Sequence, residues 1–369
     1  MKKLLLGCLA AIAIFSCKTT QIQQIKGTDN AITHYGRSFL NKNQVIELVG
    51  SAARIEFQFA GDSCLVSLNN VAGTGDYNYI AIELDGVYQG RRKVANTSPQ
   101  DYVIKAQKTL EWHSLRIYKA TEAANGVVGF YGVKAKAVKA LPNTTKLTIE
   151  FIGNSITCGM GNDTKEIPCG NGSKWYDQHN AYWSYASRVG RGLNANFMLS
   201  SISGAGIYRN WNSNGPTVPQ QYESAYLRTD STLRWNFNDF TPDIVSIALG
   251  TNDLSSGDGK TPRAAFSSEA FTNTYVTFIQ KIASHYPNAQ IVLLTSPMVK
   301  GERAKVLMTC LKNVQSIVAK KKITTKAIKL FEFSDVEPTG CGYHPSIEEH
   351  EVMANQLLPF MQEVAKGLK

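Results

Sequence analysis

The sequence predicts an α/β protein in two parts, an all-β sandwich followed by an α/β domain on a parallel sheet. Three observations predict it. Residues 27–140 read as short strands of alternating apolar and polar side chains, with a turn signal about every ten residues. From residue 147 on, apolar strand-like runs alternate with stretches of helical spacing, which implies parallel strands covered on both faces. Between them, residues 141–146 form a polar junction that carries Pro142.

In chain order, Lys2 and Lys3 precede an apolar stretch, residues 4–15, that is too short to cross a bilayer as a helix. Ile14, Phe15 and Ser16 then lead to Cys17. Residues 1–17 resemble a bacterial lipoprotein signal, in which Cys17 becomes the lipidated first residue, and the polar residues 18–26 are its tether. The expected location is the cell envelope, in the periplasm or on the outer-membrane surface, with membrane contact only through the lipid. Ordinary signal cleavage would give a secreted protein.

In the sandwich, residues 53–59, 64–68, 79–84 and 114–118 alternate, and Asp85-Gly86 supplies the positive φ of a tight hairpin turn. In the second part, residues 147–152, 196–201, 243–249, 289–295 and 327–333 read as strands. Residues 180–194, 268–286, 302–320 and 346–368 read as helices, and 162–179 as a long irregular stretch.

Two strand ends and one loop carry chemistry-bearing residues. The run 147–152 stops at Gly153-Asn154, and Ser155 follows on the turn, where α/β sheets place reactive groups. The strand 243–249 ends in Gly250-Thr251-Asn252-Asp253, and an asparagine there is a candidate N–H donor to a developing oxyanion. His344, fixed by Pro345 in the glycine-rich segment 340–346, suits a general base.

In this order the segments resemble the SGNH (GDSL-type) hydrolases. The resemblance covers roughly residues 147–369 and implies a flavodoxin-like three-layer α/β/α domain. It implies Ser155 as nucleophile, His344 as base, and an oxyanion hole made by the Ser155 and Gly204 N–H groups and the Asn252 side chain. Asn154 stands where the family usually has Asp. Cys341 stands three residues before His344, where the family has the Asp that orients the ring. Either a backbone carbonyl orients His344, giving a Ser-His dyad, or a carboxylate arrives from elsewhere; Asp335 and Glu337 are nearest in sequence. The dyad is the reading taken.

A β part joined to such a domain is similar to the second family of carbohydrate esterases, in which a jelly-roll domain precedes the catalytic one. That resemblance implies removal of O-acetyl groups from acetylated plant-wall polysaccharides or oligosaccharides of the xylan or mannan type, through an acetyl-enzyme and with no cofactor. The aromatic residues Trp175, Tyr208, Trp211 and Tyr343 are candidate platforms for sugar rings. A broader esterase or lipase, and a surface glycan-binding lipoprotein with a lapsed site, are the competing readings.

Export permits disulfides. Beyond Cys8 and Cys17, five cysteines remain, an odd count that leaves at least one unpaired. Cys158 and Cys169 flank the loop after Ser155, and a bridge between them is expected. A metal site from Cys158, Cys169 and His179 lacks ligand spacing, so no metal is expected. The formal charge of +10 is not gathered in one run, and no nucleic-acid motif appears.

Overall fold

The computed structural model describes residues 22–368 apart from Thr74 and Asn171, so the lipidation reading at Cys17 lies outside the described residues. Among these residues the first part holds two six-stranded antiparallel sheets. One runs Ser38–Leu40, Ile46–Leu48, Gly126–Ala135, Ser63–Ala72, Gln100–Lys105, and Gln23–Lys26 also lies on Gly126–Ala135. The other runs Ala137–Lys139, Arg54–Ala60, His113–Lys119, Asn78–Leu84, Val87–Val94, and Thr33–Tyr35 also lies on Arg54–Ala60.

The alternation read from the sequence sets the core between these sheets. Ile55, Phe57, Phe59, Ile82 and Ile117 meet Val66, Leu68, Val128 and Phe130, all buried. Each such side chain contributes roughly 1.5–3 kcal/mol of burial. Asp85 and Gly86 have φ of 53° and 75°, as the expected hairpin requires.

The intervening positions of the second sheet are not solvated. Tyr79, Ala81, Tyr118 and Ala120 share one cluster with Ile156, Tyr182 and Tyr185 of the second part. Arg54 and Glu56 are buried there as a 3.3 Å pair, and Arg54 donates to Asn196 Oδ1 at 3.1 Å. Arg37 likewise reaches out of the sandwich to donate to Ser200 Oγ and to the Tyr222 carbonyl, at 3.1 and 3.0 Å. The sheet therefore has a core face and a junction face.

The second part is a five-stranded parallel sheet in the order Asn196–Ser201, Thr148–Gly153, Ile244–Ala248, Gln290–Leu294, Lys329–Phe331. Its first strand in sequence lies second in space, the 2-1-3-4-5 order of flavodoxin-like folds. Helices Tyr185–Gly192 and Ile347–Lys366 cover one face through Val189, Met353 and Leu357 against Phe151 and Leu199. Helices Ser268–His285 and Glu302–Lys320 cover the other through Phe271, Ile279, Leu307 and Leu311 against Val245, Ile247 and Leu293.

The expected helix over 180–194 is interrupted. A 3-10 turn, Ala181–Trp183, precedes the helix, and Ser184 caps the helix by accepting from Ser187 N at 3.3 Å.

Candidate active site

The sheet register brings three loops level. Gly153 pairs with Ser201 on one side and with Ala248 on the other. The turns bearing Ser155, Gly204 and Asn252 therefore leave the same carboxyl edge side by side, at the point where the strand order reverses.

Ser155 opens a four-residue helix, Ser155–Cys158. Asn154 caps it by accepting from Ile156 N at 3.1 Å, and Gly159, at φ 74°, ends it. A β-carbon on Gly153 would run into the Thr157 side chain, so the strand must end in glycine for this turn to close. Asn154 thus does local structural work where the family usually carries Asp.

His344 sits in a loop stitched to residues 161–169. Cys341 N donates to the Gly161 carbonyl and Gly340 N to the His344 carbonyl, both at 2.8 Å. A disulfide joins Cys341 to Cys169 with their Cα atoms 5.5 Å apart. His344 Nε2 lies 2.7 Å from Ser155 Oγ, and its Nδ1 lies 2.8 Å from the Gly342 carbonyl oxygen. A carbonyl only accepts, so Nδ1 carries the ring proton and Nε2 faces the serine as an acceptor.

Asp335 and Glu337 are exposed, and Glu337 pairs with Lys300. Burial pulls the His344 pKa below its ordinary 6.5, against the Gly342 carbonyl, which raises it. The imidazole is therefore neutral at neutral pH.

The loop bearing Gly204 is organised by a residue the sequence reading passed over. Asp253, fully buried, accepts N–H groups from Ile207, Tyr208 and Arg209 at 3.0, 2.9 and 3.2 Å. Burial raises its pKa, and these backbone N–H groups oppose the rise. The signal was present as the acid beside Asn252, but the backbone it collects lies more than forty residues away in sequence. Asn252 Nδ2 donates to the Ala205 carbonyl at 2.8 Å, which locks its amide against the same loop. Gly204 has φ 73° and open space where a Cβ would stand.

The expected Cys158–Cys169 bridge is corrected. Cys158 ends the Ser155 helix with its thiol turned into the domain junction, 3.2 Å from Ser201 Oγ and 3.4 Å from Glu122 Oε2. Its burial leaves Cys169 to pair with Cys341. Cys64, Cys158 and Cys310 are free and buried.

Of the proposed aromatic platforms, Tyr343 is 85% exposed, Trp211 45% and Trp175 43%. The Trp175 ring stands edge-on to His179, 5.0 Å between centroids. Tyr208 is placed otherwise: it packs on Phe266 and Phe271, and its hydroxyl accepts from Ser267 N at 3.0 Å. That is the setting of a packing residue.

A sheet of this order, with serine and histidine meeting across its carboxyl edge, defines the SGNH class of ester hydrolases. Residues 34–145 match the carbohydrate esterase 2 N-terminal domain, and residues 151–321 match the GDSL-like lipase/acylhydrolase family. The chain belongs to family 2 of the carbohydrate esterases.

It is 30% identical over 324 residues to the cellulase/esterase CelE of Acetivibrio thermocellus, covering 83% of this chain and 36% of CelE. The chain thus spans about a third of that relative's length. It is 27% identical over 264 residues to an acetylxylan esterase / glucomannan deacetylase of Cellvibrio japonicus, 69% of this chain and 70% of that protein. Among solved structures, a family two carbohydrate esterase from Clostridium thermocellum in complex with cellohexaose superposes with a TM-score of 0.79. Its identity is 26%, covering 92% of this chain and 100% of that one.

Proposed function

We propose that the protein is a serine esterase that removes O-acetyl groups from plant-wall polysaccharides of the xylan or mannan type. The observation that carries this reading is the 2.7 Å contact between Ser155 Oγ and His344 Nε2, with Nδ1 held by a main-chain carbonyl. His344 takes the proton from Ser155 as Oγ attacks the acetyl carbonyl carbon. The Ser155 and Gly204 N–H groups and the Asn252 amide receive the oxyanion. Collapse expels the sugar alkoxide, which takes the proton from His344 Nε2, and leaves acetyl-Ser155. Water, deprotonated by His344, then releases acetate.

In this reading His344 works as a dyad with Ser155, and the Gly342 carbonyl supplies the tautomer that an aspartate supplies elsewhere. The acetylxylan and glucomannan activities in the name of the Cellvibrio relative support the substrate class. The exposed Trp175, Trp211 and Tyr343 are the proposed sugar contacts. Lys2, Lys3, the apolar run and Cys17 support anchoring at the bacterial cell envelope. Cys17→Ala should release the protein from the membrane fraction.

The deciding assay is acetate release from acetylated xylan and acetylated glucomannan by the protein and by Ser155→Ala, beside p-nitrophenyl esters of rising chain length. Release that Ser155→Ala abolishes, with little turnover of long esters, is expected. Preference for the longer esters would replace this reading with a broad-specificity esterase.

A further inference from the structure

The sandwich does more than lean on the catalytic sheet. Strand His113–Lys119 runs on through Ala120 and Thr121 to Glu122, which lies in the junction with its side chain 1% exposed. A buried carboxylate is costly unless its oxygens are satisfied. Here one oxygen, Oε2, accepts the Ser203 N–H at 2.9 Å and also stands 3.4 Å from the Cys158 thiol. Ser203 adjoins Gly204, and Cys158 closes the short helix that Ser155 opens. The other oxygen, Oε1, is 3.6 Å from Nε2 of the buried His179, whose ring Trp175 covers.

The segment that delivers Glu122 is itself fixed. Lys119 Nζ donates to the Thr121 and Glu122 carbonyls at 3.1 and 2.6 Å, and Ala181 N donates to the Ala120 carbonyl at 2.9 Å. Burial pushes the Glu122 pKa up, but His179 and Ser203 more than offset this, so the carboxyl stays ionised. Burial lowers the His179 pKa, with Glu122 opposing it, and draws Lys119 down to about 7.

We propose that Glu122, contributed by the sandwich, is a positioning residue for the proposed esterase site: its Oε2 ties the oxyanion loop at Ser203 to the nucleophile helix at Cys158. The inference rests on the Ser155–His344 reading. It assigns the N-terminal part a direct share in catalytic geometry. Fixing the peptide before Ser203 fixes the direction of the next one, whose N–H belongs to Gly204. A misplacement of about 1 Å at such a donor costs on the order of 100-fold in rate.

The test compares Glu122→Gln and Glu122→Asp with the unmodified protein on p-nitrophenyl acetate. It also measures the affinity of each for a boronic acid that mimics the tetrahedral adduct. Gln keeps an acceptor but loses the charge; Asp keeps the charge but withdraws the oxygen. The expected result is a kcat lowered about 10- to 100-fold in both, KM within about twofold, boronate affinity weakened in step with kcat, and an unchanged circular dichroism spectrum.

Wild-type kcat in both variants would overturn the inference, as would a KM rise that accounts for the whole loss while boronate affinity holds. If Glu122→Gln does not fold, Glu122→Asp decides by the same criteria. An unmodified protein that turns over no ester would remove the esterase reading itself and this inference with it. Failure of the inference alone shows as active wild type beside equally active variants.

Discussion

The two loops of the candidate site, one bearing Gly204 and the other His344, are held in different ways. The proposed oxyanion loop is gathered by a buried carboxylate: Asp253 collects three consecutive N–H groups, Ile207 to Arg209, beside Asn252. In the histidine loop the carboxylate is remote from the ring: Glu349 ties the loop's two ends, accepting from Thr339 N and Ser346 N at 3.0 and 2.6 Å. The ring is aimed by the Gly342 carbonyl, and the loop's backbone is held by the Cys169–Cys341 bridge and the Gly161 carbonyl. In one loop the carboxylate gathers the backbone at the site itself; in the other it holds only the ends, and covalent and main-chain restraint aims the ring. An imidazole can thus be oriented without an acid, provided the chain around it cannot relax.

The comparison breaks most severely at Asp253. Asp253→Ala strands three N–H donors, one buried and two half-buried, and should cost about 3 kcal/mol in urea unfolding. It should also lower kcat about 100-fold as the oxyanion loop loses its shape. Paired Cys169→Ser and Cys341→Ser substitutions should cost about 2–4 kcal/mol and lower kcat about tenfold by freeing His344. Because Asp253→Ala keeps the bridge, dithiothreitol should reproduce the serine pair in the unmodified protein and lower the residual activity of Asp253→Ala by the same factor, while having no effect on the serine pair itself.

A pH profile sharpens the contrast further. In the proposed mechanism His344 must be neutral to act, and burial holds its pKa below 6.5. Activity should therefore be complete near neutrality and fall only as pH drops through a midpoint under 6.5. Loosening the loop exposes the ring, so the serine pair should move that midpoint up toward 6.5. The smallest effect is expected at the rim. Trp211→Ala should raise KM for acetylated polysaccharide about fivefold and leave p-nitrophenyl acetate turnover unchanged.

The meeting of Ser155 with His344, and the place of Asn252 against the Gly204 loop, were legible because each residue sits in a short diagnostic run, and the parallel sheet was legible from the alternation of strands and helices. The sandwich was legible only in its regular strands. Gly126–Ala135, its long shared strand, carries Gly126, Gly129 and Gly132 and a register shift between Phe130 and Gly132, so it has no clean period of two. At Gly129 a Cβ would strike the Asn69 side chain, which makes glycine a packing requirement and not a turn signal. The Cys169–Cys341 pairing spans 172 residues, and Glu122 acts on Ser203 from 81 residues away. Local pattern does not encode such distances; topology does.

The shared apolar cluster at the junction has a practical consequence for anyone recombining this protein. The polar stretch 141–146 looks like a natural cut, yet severing there would expose Tyr79, Ala81, Tyr118 and Ala120 on one fragment and Tyr182 and Tyr185 on the other. It would also strand Arg37 and Arg54, whose partners lie across the seam. A chimaera that borrows only the esterase half would inherit a sticky, half-finished wall. Units of heredity and units of folding part company here: the sandwich must travel with its own hydrolase or be redesigned along that whole face.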